Sequence, residues 1–144
     1  MNPLASWQFW ALSSALFASL TAIFAKIGIE NVNSDFATFI RTIVILFAAG
    51  AMVLITNHWQ SPATVSARSW TFLILSGLAT GFSWISYFRA LKLGQAAQVA
   101  PIDKLSVVLV AIIAAIFLGE KLSPVNWIGV ALIGVGAVLV ALQV

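Results

Sequence analysis

No cysteine occurs in this 144-residue chain, and there is one histidine, so disulfides, thiolate metal sites, cysteine nucleophiles and multi-histidine metal centres are excluded. Charge is nearly as scarce: Asp, Glu, Lys and Arg make up 8% of the residues, against roughly a quarter in soluble globular domains. What fills the chain instead is apolar, 62% by residue, with a mean hydropathy of +1.07. That balance predicts an all-α integral membrane protein lying in a lipid bilayer. The net charge of +3 would point to nucleic acid in a soluble protein, but seven cations scattered along apolar spans form no basic stripe, so no nucleic-acid partner is expected.

Five segments are apolar and long enough to cross, at about 7–28, 36–55, 70–88, 95–118 and 125–144. They fill residues 1–144 as one transmembrane domain. The first opens with Trp7 and Trp10, as an interfacial aromatic belt would, and closes on Lys26; neither a positive leader nor a cleavage site marks it as a signal peptide. In the polar turn that follows, Ser34 or Asp35 is expected to cap the second span. There Thr38, Arg41 and Thr42 share one helical face, which leaves Arg41 either snorkelling to the interface or facing a cavity. The loop after it holds His58, and the third span carries Gly77 and Gly81 in a close-packing spacing. That span ends in Ser83, Trp84, Tyr87 and Arg89, a polar and aromatic cluster suited to lining a pocket or to an interfacial belt.

The fourth span is the most unusual. From Leu105 to Leu118 it is uncharged but covers only about 21 Å as a helix, short of a hydrocarbon core of about 30 Å. It must therefore borrow the residues from Gln95 through Pro101, Asp103 and Lys104. A charge at such a depth costs about 3 kcal/mol on insertion scales and marks a candidate functional position. With five crossings, Lys26, Arg41, Arg89, Asp103 and Lys104 fall in one half of the bilayer. If they face inward, the layer suits an anionic or zwitterionic small molecule; the alternative pairs Asp103 with a neighbouring cation and leaves the others to snorkel. Cations divide two against one between the loops, and two against five with the embedded flanks included, so neither orientation wins. An odd span count with an undecided bias points to insertion both ways, in which two opposed copies form an inverted repeat.

Arg89 to Leu91 followed by Gly94, Pro101 early in the fourth span, the Leu118-Gly119-Glu120 turn and the Gly129 to Gly136 pattern resemble the EamA domain of the drug/metabolite transporter superfamily. WALSSALFASLTAIFAKIGI, from Trp10, is similar to that family's first span. The usual member has ten spans in two inverted halves, whereas this chain resembles the five-span branch, one half of the ten-helix fold. The resemblance implies a transporter working by alternating access as an antiparallel homodimer, multi-pass in the cell membrane. It implies neither a cofactor nor a metal. No Asp or Glu precedes Glu30, unlike the carboxylate-bearing first helix of four-span multidrug exporters, which disfavours a cation exporter of that design. The expected substrate-binding set is Arg41, Ser83, Trp84, Tyr87, Arg89, Asp103 and Lys104. A non-transporting membrane subunit or lipid-binding assembly partner is the alternative. No nucleophile with its base and oxyanion site can be read, so an enzyme is not expected.

Overall fold

The computed structural model describes residues 6–142, all of whose long elements are helices. Apolar composition dictates this, because a backbone inside lipid must satisfy its own polar groups and a helix does so within one segment. Helix α1 spans Trp7–Gly28, α2 Ser34–Ile55, α3 Ala67–Leu93, α4 Ala96–Asp103, α5 Ser106–Ile113 and α6 Pro124–Ala141. A 3₁₀ turn at Pro62–Thr64 lies in the loop before α3, and a π-helical turn, Ala114–Leu118, continues α5. Together α4, α5 and the π turn form one candidate span, Ala96–Leu118, so the described residues hold five helices long and apolar enough to cross a membrane. Only 6% of the most apolar stretch of each is buried within the chain. Leucine, isoleucine and phenylalanine line the exposed faces, which is the surface of a protein solvated by lipid or by further helices rather than by water. This is a multi-pass membrane protein with the size and span count of one half of the inverted-repeat fold.

Local chemistry explains where the spans differ from expectation. Asn33, not Ser34 or Asp35, caps α2: its side-chain oxygen accepts from the N–H of Asp35 at 2.9 Å and of Phe36 at 3.2 Å. The cap lies outside the helix, so Asp35 falls in the first turn with its carboxylate free for another partner. Helix α3 is longer than the segment 70–88, running on through Arg89 and Lys92. Its 27 residues reach about 40 Å, well beyond the apolar core. The fourth span is not continuous. Pro101 has no N–H to bond the carbonyl four residues back, and the register tightens after it, with Leu105 N–H on Ile102 O and Val107 N–H on Lys104 O, both at 3.0 Å. The helix stops at Asp103 and restarts at Ser106. Gly119 ends the span in the left-handed region, at φ 69°, with Glu120 N–H returning to Ala114 O at 3.2 Å. Ser123 caps α6, accepting from Asn126 N–H, and Pro124 follows in the first turn. The last residues of the expected fifth span, 143–144, lie outside the described residues.

The contacts divide into two compact units, Met1–Phe24 with Leu93–Val144, and Ala25–Lys92. In the first, α6 packs on α4 and α5, and Gly134 brings the backbones close: a methyl there would stand 3.3 Å from Val108 Cγ2. In the second, Ile29, Phe88 and Leu91 are buried between the last turn of α1 and the helices α2 and α3, and polar side chains bond across the same end.

Candidate functional site

The second unit holds a ladder of cations along antiparallel α2 and α3. At the start of α2, Asp35 receives two bonds from Arg89, Nε to Oδ1 at 2.9 Å and Nη2 to Oδ2 at 2.6 Å. This two-point geometry fits the planar guanidinium to the carboxylate and makes the pair close to neutral. Six residues further along α2, or about 9 Å of helix, comes Arg41. Its guanidinium carbon lies 4.2 Å from the centre of the Trp84 ring and 5.4 Å from that of Phe88. Trp84 and Phe88 are one turn apart on α3, so they present a continuous aromatic face. Trp84 is the ring farther from the helix end, and the guanidinium lies nearer to it. Arg41 is thus turned along α3 rather than drawn out toward the end of its own helix.

Arg41 is half-buried and, among the described residues, has neither a carboxylate nor a carbonyl partner. Stacking on the indole covers a face of the guanidinium and leaves its N–H edges free. Thr38, buried beside it, gives its hydroxyl proton to Ser34 O at 2.9 Å, and Thr42 gives its own to Thr38 O at 2.8 Å. Both hydroxyl oxygens remain acceptors. Tyr87 packs edge-on to Phe88 and lies within electrostatic reach of Arg41, while Ser83 is exposed on α3.

Two lysines close the end of this unit differently. Lys92 Nζ donates to Ile29 O at 2.5 Å, Glu30 O at 2.7 Å and Val32 O at 3.2 Å, and Lys26 Nζ donates to Leu91 O at 2.7 Å. Each ammonium sits at the carbonyl end of a neighbouring helix, where the backbone dipole favours positive charge. They flank a cavity of about 440 Å³ also lined by Ile27, Ile29, Glu30 and Leu91. In the other unit, Asp103 and Lys104 occupy the break of the fourth span and pair with each other, Oδ2 to Nζ at 3.4 Å. The expected set thus separates into Arg41 with Trp84 and Tyr87; Ser83, exposed on α3; Arg89 with Asp35; and Asp103 with Lys104. Asp35, Phe88 and Lys92 were missed as site residues. Their partners lie 54 residues and more away, or on another helix, where spacing gives no signal. Among the described residues, no three His, Cys, Asp or Glu side chains converge on a metal position.

The profile of the EamA-like transporter family matches residues 5–142. The chain belongs to that family. Among curated proteins, this EamA chain is 63% identical over 136 residues to an "Uncharacterized transporter in cobO 3'region" of a Sinorhizobium species, covering 94% of this chain and 96% of that one. It is 27% identical over 86 residues to the "Probable 4-amino-4-deoxy-L-arabinose-phosphoundecaprenol flippase subunit ArnE" of Proteus mirabilis, covering 59% of this chain and 76% of that one. No solved structure matches. With the family shown and five helices able to cross a membrane among the described residues, the protein is a membrane transporter of the drug/metabolite type, a class of transporters rather than enzymes.

Proposed function

We propose that this EamA protein moves a small anionic or zwitterionic metabolite across the cell membrane by alternating access, as an antiparallel homodimer of single five-span domains. The observation that carries this reading is Arg41: a half-buried guanidinium inside a span, stacked on Trp84, with its N–H edges unclaimed. A charge is costly there unless something meets it, and a ligand carboxylate or phosphate would meet it through two parallel bonds. Trp84 and Tyr87 shape the pocket, and Ser83 offers a hydroxyl at its edge. Arg89 orders the adjoining end through Asp35. The Asp103–Lys104 pair, at a break in the backbone, supplies a polar element in the fourth span that is suited to rearrangement or to carrying a coupling proton. The name of the Proteus mirabilis relative also supports an anionic ligand, since its substrate carries a phosphate.

Solid-supported membrane electrophysiology on proteoliposomes, scanned with carboxylates and phosphate esters, tests the function. A transient current with one of these anions, lost in Arg41→Gln, is expected; currents unaffected by that substitution would remove Arg41 from the site. Assembly is tested by Ser66→Cys in this cysteine-free chain, labelled on intact cells with an impermeant thiol reagent. Partial labelling, completed only on permeabilisation, is the outcome for a chain inserted both ways. Uniform labelling would instead favour an oppositely oriented sister chain, or the assembly-partner role that the word "subunit" in the relative's name describes for that protein.

A further inference from the structure

Four cations of the second unit end near the ladder, and the structure distinguishes them by what they already hold. Lys92 commits its three donors to three backbone carbonyls. Lys26 is turned to Leu91 O. Arg89 presents its Nε and Nη2 edge to Asp35. Arg41 alone among these four shows no oxygen partner, and Glu30, exposed in the turn, adds a negative charge at the same end.

We infer that Asp35, by occupying Arg89 in a two-point ion pair, makes Arg41 the one guanidinium fork open to the ligand and so selects an anion carrying a single charge. The inference rests on the function proposed above. A second anionic group reaching along α2 would find the Nε and Nη2 edge of Arg89 already held by Asp35, and a pair close to neutral offers it no charge to offset the loss of its own hydration. Asp35 is a specificity-determining residue that acts through Arg89, with no contact to the ligand required. A monoanion of this kind is either a soluble monocarboxylate or a lipid phosphodiester, and both present two oxygens sharing one charge to the fork.

The test uses the full chain in phosphatidylcholine nanodiscs and reads thermal protection and tryptophan quenching. Two probe pairs differ mainly in charge: benzoate against terephthalate in the buffer, and phosphatidylglycerol against phosphatidic acid doped into the disc. Wild type is expected to favour the singly charged member of one pair by about 10-fold or more in half-saturating concentration. The pair that responds tells a soluble ligand from a lipid one. Asp35→Asn, which frees Arg89, is expected to bring the doubly charged member to parity or better. Because Asp35→Asn could disturb the end of α2, the exchanged pair Asp35→Arg with Arg89→Asp provides the second variant and is expected to restore the wild-type preference. Equal affinity for both members in wild type, a preference unchanged by Asp35→Asn, or no protection by any probe overturns the charge rule. Equal affinity combined with loss in Arg41→Gln sinks the charge rule alone, whereas binding that survives Arg41→Gln sinks the anion site on which it rests.

Discussion

Arg41→Lys is the sharpest perturbation, because it keeps the charge and removes the shape. A guanidinium can offer two parallel N–H bonds to an anion while stacked on an indole; an ammonium is a point charge with neither property. One charge-assisted hydrogen bond is worth about 1.5–3 kcal/mol. The stack over Trp84, at 4.2 Å, adds about 1 kcal/mol where partly exposed and more when dry. The stack is already made without ligand and so leaves the binding difference to the lost bond, about 1.5–3 kcal/mol, which at about 1.4 kcal/mol per decade is roughly a 10- to 140-fold rise in half-saturating ligand. Arg41→Gln removes the charge as well and should exceed this range. Trp84→Phe keeps an aromatic face and should cost under about 1 kcal/mol, a few-fold at most. The assay is titration of nanodisc-embedded protein with benzoate, or with the anion found active in the transport scan, followed by tryptophan quenching. A half-saturating concentration for Arg41→Lys within threefold of wild type would show that no planar fork is used, and the stacked guanidinium would then be structural.

Three further outcomes follow from single contacts. Lys92→Met withdraws one ammonium from three carbonyls and should lower stability by about 2 kcal/mol, less than three full bonds because water reaches the turn; unfolding in mixed micelles by detergent titration measures it. Asp103→Asn leaves Lys104 without its carboxylate in the fourth span and should destabilise more than the double replacement Asp103→Asn with Lys104→Met, since an unpaired charge costs more than a pair removed together; a double variant no better than the single would refute that. Gly119→Ala forces a side chain onto a φ of 69° with no atom within 4 Å of the new methyl, so its loss of about 1 kcal/mol is purely backbone strain, and Gly119→Asn should recover part of it in the same titration.

The number and approximate limits of the spans were legible because hydropathy is a local property, and Trp7, Lys26 and Gly119 mark ends by their own chemistry. The interior of the fourth span was only half legible. Pro101 is visible in the sequence, but it lies inside α4 and the N–H it lacks would face the carbonyl of Ala97, so the break three residues later at Lys104 has no local signal of that kind. The cap of α2 was placed one or two residues late, since Asn33, Ser34 and Asp35 are all competent caps and only the entry angle of the chain separates them. At the site, helical spacing placed Thr38, Arg41 and Thr42 on one face, but nothing in spacing says which aromatic on a later helix meets that face. Arg89 was one of several cations that Asp35 or Glu30 could have met, and spacing does not choose among them. Its partner Asp35 is 54 residues away.

A single copy leaves a contradiction that bears on assembly. Arg41 lies about 10 Å from the start of α2 by helical rise, deeper than a residue placed merely to reach the headgroups. The Arg89 and Asp35 side chains, in helices long enough to span, are 61% and 48% exposed. Those two lie at span ends where water reaches, but a charge as deep as Arg41 cannot face hydrocarbon at low cost, since one at the centre of a span costs about 3 kcal/mol, and the N–H groups of these cations have to meet polar partners. They must face water or protein. The glycines that could admit a neighbouring helix are open in the same way: a methyl added at Gly77 or Gly81 meets nothing within 4 Å. The proposed assembly would supply both with a neighbour, a further set of helices around an aqueous cavity. A second copy in the opposite orientation is the economical source of one, since it completes the ten-span arrangement with the same sequence. Gly77→Leu and Gly81→Leu, which have room in the isolated chain, should therefore leave its thermal stability intact while lowering the dimer fraction seen by chemical crosslinking in native membranes.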